Sequence, residues 1–302
     1  MRWMRTALSI AGMISTCFLS AGSAHAQTEW AEWIADAEIE SSTDDNINHG
    51  VFASEKRSDT SYTPKLTAGR ILQLADYSRL SLTGRYTAEL HNNIRQLSSH
   101  NFGGTLAIQH KFGLGPFVPW LRANASAMRI NSRSNIRDGQ SYIFGLQAGK
   151  RLNDRLSLRL AYSHDIRKGP ASSPVSGITP NPGGRVFDMQ GNSASLGLDA
   201  LLTERTLLRV GYTFRRGDIV ATRAWNPATA SSPYVLAVTT DDAIPGTAYR
   251  LNAQVHTYRA DISHSFLDGH ASADIGYERR SSKTGLFTYT NNIFRANVIY
   301  SY

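Results

Sequence analysis

Residues 79–90 read Arg-Leu-Ser-Leu-Thr-Gly-Arg-Tyr-Thr-Ala-Glu-Leu. In an extended chain Leu80, Leu82, Gly84, Tyr86, Ala88 and Leu90 share one face and Ser81, Thr83, Arg85, Thr87 and Glu89 the other, because successive side chains point to opposite sides. A period of two marks a strand with one apolar and one polar face. Leu156, Leu158, Leu160 and Tyr162 alternate with Ser157, Arg159 and Ala161 in the same way. Alternation recurs at 32–40, 61–72, 102–112, 117–130, 141–150, 192–200, 207–215, 249–265, 271–278 and 289–302, which predicts twelve strands and an all-β chain.

The links between these strands alternate as well. Short polar turns are expected at 73–78, 113–116, 151–155, 201–205 and 266–270. Longer links, rich in Gly, Pro and Asn, are expected at 41–60, 91–101, 131–140, 167–190, 216–248 and 279–288. An even set of antiparallel strands with short turns on one rim and long loops on the other is the plan of a closed up-and-down barrel.

The N-terminus carries an export signal. Arg2 and Arg5 precede an apolar run from Ala7 to Gly22, and Ala24-His25-Ala26 supplies a small-x-small cleavage site. Residues 1–26 are therefore expected to be a cleaved signal peptide, and 27–302 the barrel domain. The run is too short, and too interrupted by Ser and Thr, to cross a membrane as a helix. Cys17 has no lipobox ahead of it, and cleavage removes this single cysteine, which excludes disulfides and cysteine catalysis. Losing Arg2 and Arg5 takes Lys plus Arg from 32 to 30 against 24 Asp plus Glu, a net charge of +6. An exported chain meets little nucleic acid, so this balance points to anionic lipid or to plain solubility. A mean hydropathy of −0.31 suits a soluble protein and a membrane barrel equally, since only alternate strand residues of a barrel face lipid.

The last strand is the most specific feature. Phe294, Ala296, Val298, Tyr300 and Tyr302 alternate with Ile293, Arg295, Asn297, Ile299 and Ser301, and the sequence stops on an aromatic residue. This resembles the C-terminal signal strand of Gram-negative outer-membrane β-barrel proteins, with Tyr where that family usually has Phe. The resemblance covers 27–302, in the twelve-strand size class, and points to no subfamily. It implies an outer-membrane location with the short turns and both termini in the periplasm. It also implies that the outer-membrane assembly machinery reads Phe294, Val298, Tyr300 and Tyr302, that membrane lipid and lipopolysaccharide surround the wall, and that no cofactor is needed. Aromatics gather towards both strand ends, with Phe112, Phe117, Phe266, Tyr300 and Tyr302 at the short-turn rim and Tyr142, Tyr162, Tyr212, Phe214 and Tyr277 at the other. Two girdles fit two lipid–water interfaces better than they fit a secreted sandwich.

With the apolar face towards lipid, the other face lines a lumen. It carries the acids Glu32, Asp36, Glu38, Glu89, Asp165, Asp199, Asp261, Asp274 and Glu278. Its bases are Lys65, Arg85, Lys111, Arg122, Arg159, Arg209, Arg215, Arg259 and Arg295. The signs balance, which argues against a pore dedicated to acidic oligosaccharides. Most acids lie on the strands of the closing seam, while Arg85, Arg122, Arg159 and Arg209 lie on middle strands, so a field across the lumen is expected. Eight strands leave an interior that side chains fill, and about sixteen leave a channel. The leading expectation is a narrow passive, porin-like channel for small polar solutes. The alternative is a filled barrel with a structural, adhesive or secretion-assembly role. Translocator domains of autotransporters have this size, but they need an upstream passenger, and only 27–30 precede the first strand here.

Catalysis and metal binding find no assembled site. Asp261, Ser263, His264 and His256 crowd one strand, as a lipid hydrolase triad might, but alternation sends 261 and 263 one way and 264 the other. Gly191-Asn192-Ser193-Ala194-Ser195 lacks the second glycine of a nucleophile elbow. Thr43-Asp44-Asp45-Asn46 and Asp241-Asp242 offer oxygen ligands without the spacing of a calcium loop. The doublets Arg167-Lys168, Arg215-Arg216 and Arg279-Arg280 stand where strands enter long loops. They are expected to pair with lipopolysaccharide phosphates, which suit the guanidinium fork.

Overall fold

The computed structural model describes residues 29–171 and 185–302, so the signal peptide expected at 1–26 lies outside the described residues. Thirteen strands form one antiparallel sheet. They are β1 Glu29–Asp44, β2 Asp59–Ala75, β3 Ser78–His91, β4 Ser99–Lys111, β5 Trp120–Ser132, β6 Gly139–Arg151, β7 Leu156–Lys168, β8 Met189–Thr203, β9 Thr206–Arg223, β10 Val235–Asp241, β11 Gly246–Phe266, β12 Ala271–Thr284 and β13 Thr288–Ser301. Twelve of them close a barrel. Neighbours in sequence pair except β9 and β10, β9 pairs with β11 instead, and β13 returns to β1 with Ile39 opposite Val298.

Register fixes what each face sees. Leu82 stands beside Leu106, Leu160 beside Leu196 and Tyr277 beside Phe294, so the large apolar side chains share one face around the circumference. That face is the outer one, where Trp33, Leu66, Phe102, Ile262 and Ile275 remain exposed. A continuous exposed apolar band is unfavourable in water, and it is what a wall in contact with lipid requires.

The twelve predicted strands are all present, but several run further towards the long-loop rim. β7 continues to Lys168 rather than Tyr162, β9 to Arg223 rather than Arg215, and β12 to Thr284 rather than Glu278. The largest correction falls on residues 216–248, expected as one long link. They hold the upper part of β9, a helical turn at Pro227–Ala230 capped by the Asn226 side chain, β10, and the start of β11. β10 pairs with β11 above the level at which β12 begins to do so. Both faces of this extension are covered. Ile219, Ala221, Val235, Val238, Tyr249 and Leu251 form one buried cluster, and Ala237 and Ala248 pack with Val186 and Phe187 in another.

Loops complete a roof over that rim. In the β1–β2 loop the Asn48 carbonyl accepts from the Thr222 N–H at 2.9 Å and the Asn48 amide donates to the Thr222 carbonyl at 3.0 Å. Glu55 of the same loop pairs with Arg223 at 2.8 Å. From the other side, Arg137 between β5 and β6 pairs with Asp241 at 2.5 Å, and Ser134 donates to Asp242. The acidic runs noted in the sequence are thus loop latches. Asp44 and Asp45 accept from Asn291 and Asn292, and Asp241 also accepts from Thr222.

Candidate functional site

The inner face is built by the same alternation that turns Leu and Phe outward. Lys65 bridges Glu38 at 2.9 Å and Glu40 at 2.8 Å. Arg295 reaches Glu278 at 2.7 Å and Glu40 at 3.7 Å, and Arg280 also meets Glu278 at 2.6 Å. Arg259 pairs with Asp261 at 2.6 Å, Arg209 with Asp274 at 3.7 Å and Arg159 with Asp199 at 2.6 Å. Arg85 donates to the Thr67 hydroxyl at 3.2 Å. Among the described residues Arg85, Arg122, Glu32 and Asp36 enter no ion pair.

This arrangement reduces the expected field across the lumen. Glu38, Asp261, Asp274 and Glu278 of the seam are neutralised along the wall, by bases on their own or nearby strands, while Glu32 and Asp36, like Arg85 and Arg122, stay unpaired among the described residues. The reason is distance. Paired positions on adjacent strands lie about 5 Å apart, so opposite charges there meet before any can reach across the barrel. Glu40, Arg280 and Trp120 also belong to this face and were missing from the expected set. Glu40 could have been found, since it shares the parity of Glu38 one step along the same strand.

The interior is not filled. A cavity of about 430 Å³ runs along the wall from β5 to β12, lined by Trp120, Gln147, Arg159, Arg209, Arg259 and Glu278 among others. A second, of about 260 Å³, lies beneath the roof between Asn48, His91, Asn101, Arg137, Arg167 and Thr222.

The basic doublets are split by alternation, and half of the expected lipid contacts are corrected accordingly. Arg215 pairs with Asp165 at 2.9 Å and Arg280 with Glu278, both on the inner face. Arg167 lines the cavity under the roof and donates to the Arg137 carbonyl at 2.5 Å. Lys168, Arg216 and Arg279 point the other way and are exposed. Adjacent residues of a strand cannot both reach lipid.

The crowded polar residues of β11 divide likewise. Asp261 and Ser263 are buried on the inner side, while His256 bonds the outward Tyr212 and His264 bonds Thr206. Outward aromatics cluster near the long-loop rim, with Tyr212 beside Tyr258 and Tyr277 beside Phe294. Of the strand expected to guide assembly, Phe294, Val298, Tyr300 and Tyr302 all stand exposed on the outside.

No family model matches this chain, and no curated protein matches it in sequence. Among solved structures it is similar to the COG4313 outer membrane channel from Pseudomonas putida F1, with a TM-score of 0.56 and 13% identity, over 93% of this chain and 100% of that one. It is more loosely similar to the NanC porin, with a TM-score of 0.48 and 9% identity over 87% and 98% of the two chains. The translocator domain of the autotransporter NalP from Neisseria meningitidis gives 0.44 and 13% over 99% and 98%. The first likeness carries weight for architecture alone, and the looser two add nothing to it. The chain has the fold of an outer-membrane β-barrel of twelve strands.

Proposed function

We propose that this protein is a narrow passive channel for small polar solutes in the outer membrane. The observation that carries the reading is the open space left along the inner wall, about 430 Å³, whose lining includes Trp120, Gln147, Arg159, Arg209, Arg259 and Glu278, where a structural barrel would pack its interior. Ion pairs along the wall keep Asp261 and Glu278 neutralised without bridging the lumen. In the same reading Lys168, Arg216 and Arg279 meet lipopolysaccharide phosphates, and Phe294, Val298, Tyr300 and Tyr302 present the strand that guides assembly.

The roof over the long-loop rim favours the rival, a barrel closed to solutes. Liposome swelling separates the two. Vesicles holding the folded protein should swell in small sugars and amino acids, and more slowly as solute size grows. Vesicles that behave like protein-free ones for every solute would leave only the structural role.

A further inference from the structure

The inner wall carries a bare stretch on β7 to β11. Across neighbouring strands the register runs from Gly149 to Arg159, then Gly197, Gly211, Arg259 and Glu278. Two glycines thus stand side by side between two arginines. A side chain at Gly211 would meet nothing nearer than the Leu196 carbonyl oxygen at 3.7 Å, and one at Gly197 would only touch Arg159 at 3.9 Å. Neither glycine is demanded by close packing or by an unusual backbone angle. What their lack of side chains does is leave a bare floor, about 14 Å wide between the flanking arginine Cα atoms at ordinary strand spacing. The Ser195 and Thr213 hydroxyls, 2.9 Å apart, and Thr257 border it on the loop side.

The charges around this floor are layered. Arg159, Arg209 and Arg259 are 49%, 34% and 48% exposed, whereas their partners Asp199, Asp274 and Asp261 are 19%, 12% and 7% exposed. On an inner wall, exposure means exposure to the lumen. The sum of charges is near zero, yet a solute meets guanidinium groups first, with the carboxylates set behind them. Arg259 engages Asp261 through Nε alone, and Arg159 engages Asp199 through Nη2. The other donors of both forks make no hydrogen bond among the described residues. A guanidinium fork with donors to spare suits a carboxylate.

We propose that the niche between Arg159 and Arg259, floored by Gly197 and Gly211, binds small hydroxylated carboxylates. The site rests on the pore reading for its use, since bound anions would then be passed along the wall, but its occupancy can be measured without conduction. Calorimetry on the folded protein in detergent should detect binding of potassium gluconate and none of sorbitol, its neutral counterpart. Arg159→Gln and Arg259→Gln should each weaken gluconate roughly tenfold, the loss of one charge-assisted contact. Gly211→Val fills the floor with every charge kept and should weaken it as much. Gly197→Ala serves as a second filling variant, and heat-modifiability on gels checks that each is folded. Gluconate that binds wild type no better than sorbitol, or binds Gly211→Val and Arg259→Gln as well as wild type, would overturn the site.

The reversal potential across a potassium chloride gradient distinguishes this failure from failure of the pore. A conducting wild type that binds no gluconate overturns the niche and leaves the channel standing. A silent protein that still binds gluconate overturns the channel and leaves the niche.

Discussion

The stretch 79–90 in β3 and the stretch 217–223 at the top of β9 are both strand, yet their side chains live in opposite circumstances. In β3 one face meets lipid and the other the lumen, so apolar and polar residues alternate. At the top of β9, Ile219 and Ala221 pack under one layer, while Asp218 and Thr222 are buried under another. The comparison teaches that alternation is written by a difference between two environments, and that it fades where both faces are covered. It also divides the energetics. The wall is held by its closed ladder of backbone bonds in lipid, and the roof by a small packed core of its own.

The largest expected effect belongs to that core. Tyr249 is fully buried, and its hydroxyl accepts from the Asn226 N–H at 3.1 Å. Tyr249→Ala should cost the roof about 3–5 kcal/mol, enough to open it to protease, while the barrel still resists heating on gels. Loss of the barrel as well would show that roof and wall fold as one unit.

Within the wall, Leu82→Arg places a charge in the lipid band and should cost about 2–4 kcal/mol. Thr83→Arg, one residue along, points into the lumen and should assemble normally. Equal assembly of the two variants in refolding assays would contradict the register.

A smaller effect should appear with pH. His49, in the β1–β2 loop at φ 55°, bonds the Val220 carbonyl through Nδ1 at 2.9 Å and lies against Tyr289. Burial, with the Arg280 charge adding to it, holds its pKa below the ordinary 6.5, against smaller opposing effects of the Val220 carbonyl and Asp44. A base whose folded pKa is depressed contributes fully above 6.5, and that contribution is lost as pH falls through 6.5 towards the folded value. Protease access to the β1–β2 loop should therefore rise on acidification. In His49→Asn, a residue that tolerates positive φ, it should stay flat. An unchanged wild type between pH 7.5 and pH 5 (about one unit or more either side of the ordinary value) would remove His49 from the latch.

The contrast between wall and roof also governs what could be read from the residues alone. Leu80 to Leu90 and Leu156 to Tyr162 disclose their strands because only one of their faces is apolar. Ile219-Val220-Ala221 and Val235 to Thr240 carry no such period, so a covered sheet reads as loop. The inward arginines of the wall follow from parity, and so would Glu40. The split of Arg215 from Arg216, and of Arg279 from Arg280, needed only the strands to be continued a few residues. The layering of Asp261 behind Arg259 could not be read, because it depends on which side chain leans across Gly276 on the neighbouring strand. The glycines of the niche were visible only as breaks in the alternation. Their meaning came from register, which brings Gly197 beside Gly211 and both between Arg159 and Arg259.

Single-channel recording in planar bilayers tests the central claim, a water-filled lumen under a folded roof, most directly. Wild type should give discrete steps of small conductance, and Tyr249→Ala, with its roof loosened, larger ones. Bilayers that hold the folded protein and stay silent for both would contradict the account.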